Sequence, residues 1–308
     1  MERKTYLRVG YVVAATLLVL SAASALVGNS LGPWLIHPVN VNPHRDTQAR
    51  DTLERTGATK EDFEAEARDG VTLRGWKVRA REPNGDWIIL FHGVSDNHTG
   101  VLSSAEILLR HGYSVVMMDS RAHGNSGGAM ATYGYLERYD TVAITNALFA
   151  SEKVRHLGAF GISMGAAIAL QSAAVEIRIE AVGAEDPFAN LREVSYDYAG
   201  LWISPLLGKT LFRPASIFAM RAMSRAGGFD ADAVSPEKAV TERAFPVLLI
   251  CGTRDGRIPC RHAETIYRAA RGPKELWIVE GAEHASALGR APEEYESRMI
   301  GFFDKYLH

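Results

Sequence analysis

From residue 63 onward, short apolar runs alternate with helical stretches, and this alternation constrains the fold more than any other feature. Runs of this kind occupy residues 87–91, 114–119, 157–162, 179–184, 245–251 and 275–279. Continuous apolar runs are typical of strands buried on both faces, and strands that alternate with helices form a mostly parallel sheet with helices on both faces. Ahead of them, residues 63–68 and 71–79 flank an Asp-Gly turn and predict an antiparallel hairpin. The sequence therefore predicts an α/β fold.

One segment, at about 187–243, interrupts the alternation. It is rich in aromatic residues and methionine, has no clear strand, and is much longer than an ordinary connection between a strand and a helix. We interpret it as a helical cap insertion that lies over the sheet, and not as a separate domain.

The N-terminus carries a long apolar segment. Residues 9–27 contain no charge, and their length is enough to cross the roughly 30 Å apolar core of a bilayer. Arg3, Lys4 and Arg8 precede them, so the positive-inside rule predicts a membrane anchor with an extracytoplasmic catalytic domain. A cleaved signal peptide is the alternative, because residues 23–25 read Ala-Ser-Ala and offer a cleavage site. The protein would then be secreted.

These features divide the chain into three parts. Residues 1–29 are the anchor or signal peptide, and residues 30–62 are a linker and lead-in that contains a short helix. Residues 63–308 are the α/β domain with its cap insertion. Lys and Arg number 34 and Asp and Glu 36, for a net charge of −2, so the chain lacks the basic excess that nucleic-acid binding requires.

The two cysteines, Cys251 and Cys260, have a spacing that allows a disulfide without requiring one. Because Cys251 lies inside an apolar run, we favour its interpretation as a small buried thiol. His262 follows Cys260 closely, but further ligands at zinc-site spacing are missing from the sequence around them. We therefore expect no metal and no cofactor.

The motif Gly161-Ile162-Ser163-Met164-Gly165 indicates a nucleophile, because it follows a predicted strand and precedes a predicted helix. In that context the serine occupies a strained turn at the carboxyl edge of the sheet, and small neighbours relieve the crowding. A serine hydroxyl needs a base and a group that orients the base. His284 and Asp255 both follow predicted strands and occur in the chain order Ser, Asp, His. Asp186 and Glu283 are the alternative acids.

An oxyanion formed at Ser163 needs hydrogen-bond donors. We expect the backbone N–H of Met164, the residue after the nucleophile, to be one of them. The second is expected from the loop after the strand at 87–91, with the N–H of Val94 as the candidate, since Gly93 lets the backbone approach closely.

Five segments resemble the α/β-hydrolase superfamily: HGVSDN (92–97), DSRAHGNSGG (119–128), GISMG (161–165), CGTRDGRIP (251–259) and GAEH (281–284). Within it, the chain is similar to the catalytic domains of prolyl-oligopeptidase-type enzymes and to bile-acid-acyltransferase-like bacterial hydrolases. The resemblance implies the α/β-hydrolase fold and a catalytic triad of Ser163, His284 and Asp255.

The resemblance also implies that Asp119, Arg121 and His123 are structural and act through buried hydrogen bonds. The chain departs from the large oligopeptidases in having no room for an N-terminal propeller, which weakens a peptidase interpretation. We therefore expect a carboxylesterase-like serine hydrolase that acts on a small-molecule ester or acyl substrate and is attached to the membrane by its N-terminal helix. A small peptidase or amidase and a catalytically inert, membrane-tethered binding protein are the alternatives, and the oligomeric state is left open.

Overall fold

A computed structural model describes residues 2–39, 43–201 and 203–307 of the chain, with the side chains of only Arg8, Tyr11, Ala15 and Thr16 among residues 2–17. In these residues the core is one sheet of eight strands, in the spatial order β1-β2-β4-β3-β5-β6-β7-β8. The strands are β1 (Thr59–Glu66), β2 (Thr72–Arg79), β3 (Trp87–Phe91), β4 (Ser114–Met118), β5 (Leu157–Ile162), β6 (Ile179–Glu185), β7 (Val247–Gly252) and β8 (Lys274–Val279).

The pairing of the strands follows the sequence pattern. β1 pairs antiparallel with β2, and β2 pairs antiparallel with β4, whereas the pairings from β4 through β3, β5, β6 and β7 to β8 are parallel. The prediction of a mostly parallel sheet is therefore confirmed. The hairpin is present as well, although β1 begins at Thr59, before the predicted start of the strand.

Helices connect the strands and cover both faces of the sheet. They are α1 (Glu2–Leu31), α2 (Asp46–Thr56), α3 (Leu102–Arg110), α4 (Glu137–Ser151), α5 (Met164–Val175), α6 (Leu191–Gly200), α7 (Pro205–Lys209), α8 (Arg213–Gly227), α9 (Pro236–Glu242), α10 (Arg261–Ala269), α11 (Ala287–Arg290) and α12 (Pro292–Leu307). Successive side chains of a strand point to opposite faces. In β3, Trp87 and Ile89 accordingly join a core with α4, α5 and α10, while Ile88 and Leu90 join one with α3 and α12.

The segment between β6 and β7 is helical, as the sequence predicted. It contains α6 to α9 and a third apolar cluster, in which Phe188, Met220 and Phe229 are buried together with Ile36 from the N-terminal part of the chain. This segment follows the carboxyl end of β6, so it lies beside the edge of the sheet where Ser163 is expected.

The end of α1 packs closely against the cap helix α8. A Cβ atom placed on Gly28 would lie 2.3 Å from the carbonyl oxygen of Ala215, and one on Gly32 would lie 2.3 Å from that of Ala219. Such distances are possible only for glycine, and small residues four positions apart on two helices are typical of close helix pairs in membranes. Leu18–Ile36 is long and apolar enough to cross a membrane by length and composition, a criterion that a signal sequence also meets.

The residues that follow α1 are bonded to the domain. The carbonyl oxygen of Ile36 accepts a hydrogen bond of 2.8 Å from the N–H of Ala131, and the hydroxyl of Tyr133 donates one of 2.5 Å to the carbonyl oxygen of Leu35. Ile36 is buried. The segment after α1 is therefore held by the packing of α1 on the cap helix α8 and by hydrogen bonds to the loop before α4.

Candidate active site

Ser163 lies between β5 and α5 in a strained backbone conformation, with φ of 59° and ψ of −118°. Its neighbours must be small, because a Cβ atom on Gly161 would lie 2.2 Å from the carbonyl oxygen of Gly165. A Cβ atom on Gly165 would lie 2.2 Å from that of Phe91. The expectation that small residues relieve crowding at this turn therefore agrees with the geometry. The turn presents the Ser163 side chain at the carboxyl edge of the sheet.

His284, in the loop after β8, is hydrogen-bonded on both ring nitrogens. Its Nδ1 lies 2.7 Å from Oδ2 of Asp255 and its Nε2 lies 2.9 Å from Oγ of Ser163. A carboxylate can only accept, so Nδ1 donates to Asp255, and Nε2 lies where it can accept from the serine hydroxyl. The structure thus brings together the three side chains that the sequence singled out from three separate strand ends.

The loop after β7 fixes Asp255. Its Oδ1 accepts hydrogen bonds of 2.8 Å and 2.9 Å from the N–H groups of Arg257 and Ile258, which leaves Oδ2 directed at His284. The interpretation of Cys251 as a free buried thiol is wrong, since Cys251 and Cys260 form a disulfide with Cα atoms 5.4 Å apart. The loop between them turns back on itself, which their spacing in the sequence does not reveal. The disulfide closes the loop that carries Asp255.

The two alternative acids have different surroundings. Asp186 is buried at the end of β6, and its Oδ2 lies 3.7 Å from Nδ1 of His284, farther than Asp255. Burial, with the charges of Glu185 and Asp255 nearby, raises the pKa of Asp186 to about 8. Glu283 is 70% exposed and lies 3.9 Å from Arg254, so it does not orient His284.

The loop after β3 passes close to Ser163. A Cβ atom on Gly93 would lie 3.7 Å from Cβ of Ser163, and Val94 borders the same cavity as Ser163 and Met164. His92 holds this loop. Its Nδ1 donates to the carbonyl oxygen of Gly93 at 2.7 Å, and its Nε2 accepts from the N–H of Ser120 at 3.0 Å. Burial, with His123 nearby, lowers the pKa of His92 to about 4, so the ring is neutral and both hydrogen bonds persist at neutral pH.

Asp119, after β4, is fully buried and organises the neighbouring loops. Its carboxylate accepts hydrogen bonds from the N–H and Nδ1 of His98 and from the N–H of Asn125, each within 2.8 Å. Burial would raise the pKa of Asp119, but these hydrogen bonds outweigh it and lower the pKa. Arg121 is buried and pairs with Asp140 at 2.5 Å. These contacts agree with the structural role that the resemblance implies.

The site also contains side chains that could hold a metal ion. The ligand atoms of Asp186, Asp255 and His284 lie within 4.8 Å of one another. The carboxylate oxygens already accept hydrogen bonds from His284 and from the backbone N–H groups of Gly252, Arg257, Ile258 and Ala285. A cation would have to displace these donors. The expectation that the protein binds no metal stays a prediction.

A cavity of about 590 Å³ opens beside Ser163, under the cap. Its volume lies in the range of pockets that hold drug-sized ligands. Among the described residues, no charged side chain lines it. Most of the lining side chains are apolar, and they come from three parts of the chain: Val27, Leu31 and Leu35; Met164, Phe188, Leu191 and Val194; and Ile203, Phe212, Ala219, Met220, Met223 and Ile258.

The part of this cavity that comes from the N-terminal segment is not predicted from the sequence. The pattern before residue 63 predicts an anchor and a linker, whereas Val27, Leu31 and Leu35 border the same space as Ser163. One signal could have indicated the contact, namely the pair of glycines at 28 and 32 in an apolar helix, matched by alanines at 215 and 219.

Comparisons with known proteins agree with the observed fold. The family model described as serine aminopeptidase, S33, matches residues 82–184. An uncharacterized Bacillus subtilis protein, YqkD, is 29% identical over 98% of this chain and 97% of its own.

The Pyrococcus furiosus esterase Pf2001 superposes with a TM-score of 0.72 at 24% identity, over 89% of this chain and 99% of the esterase. The acylaminoacyl peptidase of Pyrococcus horikoshii has a TM-score of 0.60 at 18% identity, over 81% of this chain and 42% of that one. The structural similarities show the α/β-hydrolase fold.

Proposed function

We propose that this member of the α/β-hydrolase superfamily is a serine hydrolase that cleaves carboxylic esters with apolar acyl groups. The observation that carries the proposal is a continuous hydrogen-bond chain, from Asp255 through His284 to Ser163, that ends at the wall of an uncharged cavity. A base with its orienting acid on one side of a serine and an apolar pocket on the other is the arrangement that acyl transfer requires.

In the first half of the reaction, Nε2 of His284 takes the proton of the Ser163 hydroxyl while Oγ attacks the ester carbonyl. The backbone N–H groups of Val94 and Met164 would hold the negative oxygen of the tetrahedral intermediate. When this intermediate collapses, the bond to the alcohol breaks and the alcohol leaves with the proton from His284. Asp255 keeps the ring in the required tautomer and stabilises the imidazolium.

In the second half, water replaces the alcohol. His284 removes a proton from the water, which attacks the acyl carbon bound to Ser163, and the same N–H groups hold the second oxyanion. The acid leaves as His284 returns its proton to Oγ. The products are one alcohol and one carboxylic acid, and the enzyme is restored without a cofactor.

A small aminopeptidase is the second candidate, and the description of the matching family model favours it. Such an enzyme must bind the ammonium group of its substrate, which requires a carboxylate near the nucleophile. Among the described residues that line the cavity, none carries a charge. This lining favours an uncharged, apolar substrate and therefore the ester.

We propose further that the catalytic domain is extracytoplasmic and anchored by α1. Two observations support this location. Three cations precede the apolar stretch of the N-terminal helix, and the disulfide between Cys251 and Cys260 is of a kind that persists in oxidising compartments. N-terminal sequencing of the mature protein tests the anchor, because a start near Leu26 would mean a cleaved signal peptide.

The proposed activity is tested with paired substrates that share one acyl group. The purified protein is assayed with a p-nitrophenyl ester and with the corresponding p-nitroanilide, and with aminoacyl anilides that carry a free ammonium group. We expect ester hydrolysis to exceed anilide hydrolysis and to disappear in Ser163→Ala. Preferred cleavage of aminoacyl anilides would favour the aminopeptidase, and ester hydrolysis that persists in Ser163→Ala would refute the mechanism.

A further inference from the structure

We infer that this enzyme takes long-chain acyl esters from the outer surface of a lipid bilayer, and that α1 forms part of the wall of the acyl site. The inference rests on the proposed function, which it extends from apolar esters to membrane lipids. It assigns to the N-terminal helix a role in substrate selection in addition to that of an anchor.

The first argument is the shared use of residues. Val27, Leu31 and Leu35 line the cavity that opens at Ser163, and they lie at the end of the uncharged apolar stretch 9–27 or directly after it. A helix that only anchored the domain would not need to line the substrate cavity. Here the apolar stretch continues directly into the cavity wall.

The second argument is the rim of the cavity. Several residues that line it are also exposed: Val27, Leu31, Leu35, Val94, Tyr198 and Ile203. Trp34, Leu206 and Leu211, which are close to them in sequence, are exposed as well. Single exposed apolar side chains are common, but several that line one cavity indicate a binding surface for an apolar partner.

The third argument locates this rim at the membrane. If the apolar stretch enters the bilayer after the cations at Arg3, Lys4 and Arg8, about 20 helical residues cross its apolar core. Counted from Val9, this length ends at Gly28, the residue packed against Ala215 of α8. The contact between α1 and the cap, and the cavity mouth beside it, therefore lie at the outer boundary of the bilayer. A lipid is the occupant that this position supplies.

The close contact between α1 and α8 also positions this wall. Side chains larger than hydrogen at Gly28 or Gly32 would collide with the backbone of Ala215 or Ala219, so the two helices cannot approach this way with other residues. The wall formed by α1 is thus packed directly against the cap helix that lines the same cavity.

The experiment compares two exposed isoleucines. Ile203 is 68% exposed at the rim, and Ile177 is 76% exposed, precedes β6 at the opposite edge of the sheet and does not line the cavity. Full-length protein and its variants Ile203→Asn and Ile177→Asn are placed in phosphatidylcholine vesicles. The rate of covalent labelling of Ser163 is measured with a butyl and with a hexadecyl fluorophosphonate. Both substitutions are on the surface, so both proteins should fold.

We expect the hexadecyl reagent to label the wild type roughly tenfold faster than the butyl reagent, because the apolar cavity and rim bind the longer chain. Ile203→Asn should lower the hexadecyl rate more than the butyl rate and so remove most of this advantage, whereas Ile177→Asn should change neither rate. Equal rates in the wild type, or the same rates in both variants, would refute the inference while the proposed hydrolase stands. Failure of both reagents to label a folded protein would refute the proposed function itself.

Discussion

The carboxyl edge of the sheet and the cavity under the cap differ in backbone strain and in hydrogen bonding. At the edge, Ser95, Ser163, Asp186 and Ala285 all have positive φ, and hydrogen bonds of 2.7 Å to 2.9 Å join Asp255, His284 and Ser163. The cavity is lined mainly by apolar side chains without such directed contacts, and its walls come from segments far apart in the chain. Strained backbone persists only where its surroundings fix it, and in proteins it is concentrated at functional sites.

This difference indicates that the two regions have different roles in the proposed reaction. Groups at the edge act on the reacting carbonyl, so a change there should affect every substrate to the same degree. Groups in the cavity contact the acyl chain, so a change there should affect long substrates more than short ones. Kinetic assays over a series of acyl lengths test this separation, and the expected effects decrease in size from one prediction to the next.

The largest effect is expected for the acid that orients His284. Asp255→Asn can no longer hold the ring in the productive tautomer, and we expect kcat/KM to fall by about 10³- to 10⁴-fold for short and long esters alike. Glu283→Gln is the control, because Glu283 is adjacent to His284 in sequence but exposed and directed at Arg254. Esterase assays over a series of acyl lengths measure both. A loss confined to long esters would contradict the separation.

The disulfide should contribute both to stability and to catalysis. Replacing Cys251 and Cys260 together by serine opens a short loop, and we expect the free energy of unfolding to fall by about 2–3 kcal/mol. Because the loop carries Asp255, kcat should decrease by the same factor for all acyl lengths. Denaturant unfolding and steady-state kinetics measure these effects, and a double variant as stable and as active as the wild type would refute the role of the disulfide.

His92 should make stability depend on pH. Its pKa is about 4 in the folded chain, against 6.5 for the ordinary group, so the unfolded chain binds the extra proton between these values. Stability is therefore lost as the pH falls through this interval, and we expect a loss of about 2 kcal/mol from His92 between pH 7 and pH 5. His92→Gln should lack this contribution. Urea unfolding at both pH values checks it, and identical pH dependence in both proteins would contradict it.

The smallest effect is expected in the cavity, where it should be selective. Ala199 lines the cavity, and Ala199→Trp would occupy part of its volume. We expect kcat/KM for a long-chain ester to fall about tenfold while that for an acetyl ester is retained, since roughly two buried methylene groups of binding are lost. Ala226→Trp, at an exposed position of α8, is the control. Equal losses for both esters in Ala199→Trp would show that the cavity does not select chain length.

The same two regions differ in how far the sequence predicted them. The sheet and the meeting of Ser163, His284 and Asp255 could be predicted because strand periodicity and the motifs at strand ends are local patterns. Two features could not be predicted: the cavity wall from Val27 to Leu35, and the disulfide between Cys251 and Cys260. The first depends on the packing of segments far apart in the chain, and the second on a loop that turns back on itself. Apolar residues of α1 fit a membrane, a signal sequence or a cavity wall equally well, and only the packing distinguishes these environments.

The most direct test of the central claim is to find the residue that becomes covalently modified. The protein is treated with a short fluorophosphonate and digested, and the modified residue is identified by mass spectrometry. The control is Ser195→Ala, since Ser195 also lines the cavity, but its hydroxyl is bonded to the carbonyl oxygen of Arg192 and not to a histidine. We expect one adduct, on Ser163, that persists in Ser195→Ala and is lost in Ser163→Ala and His284→Ala. A folded protein without an adduct, or one modified at another serine, would contradict the account.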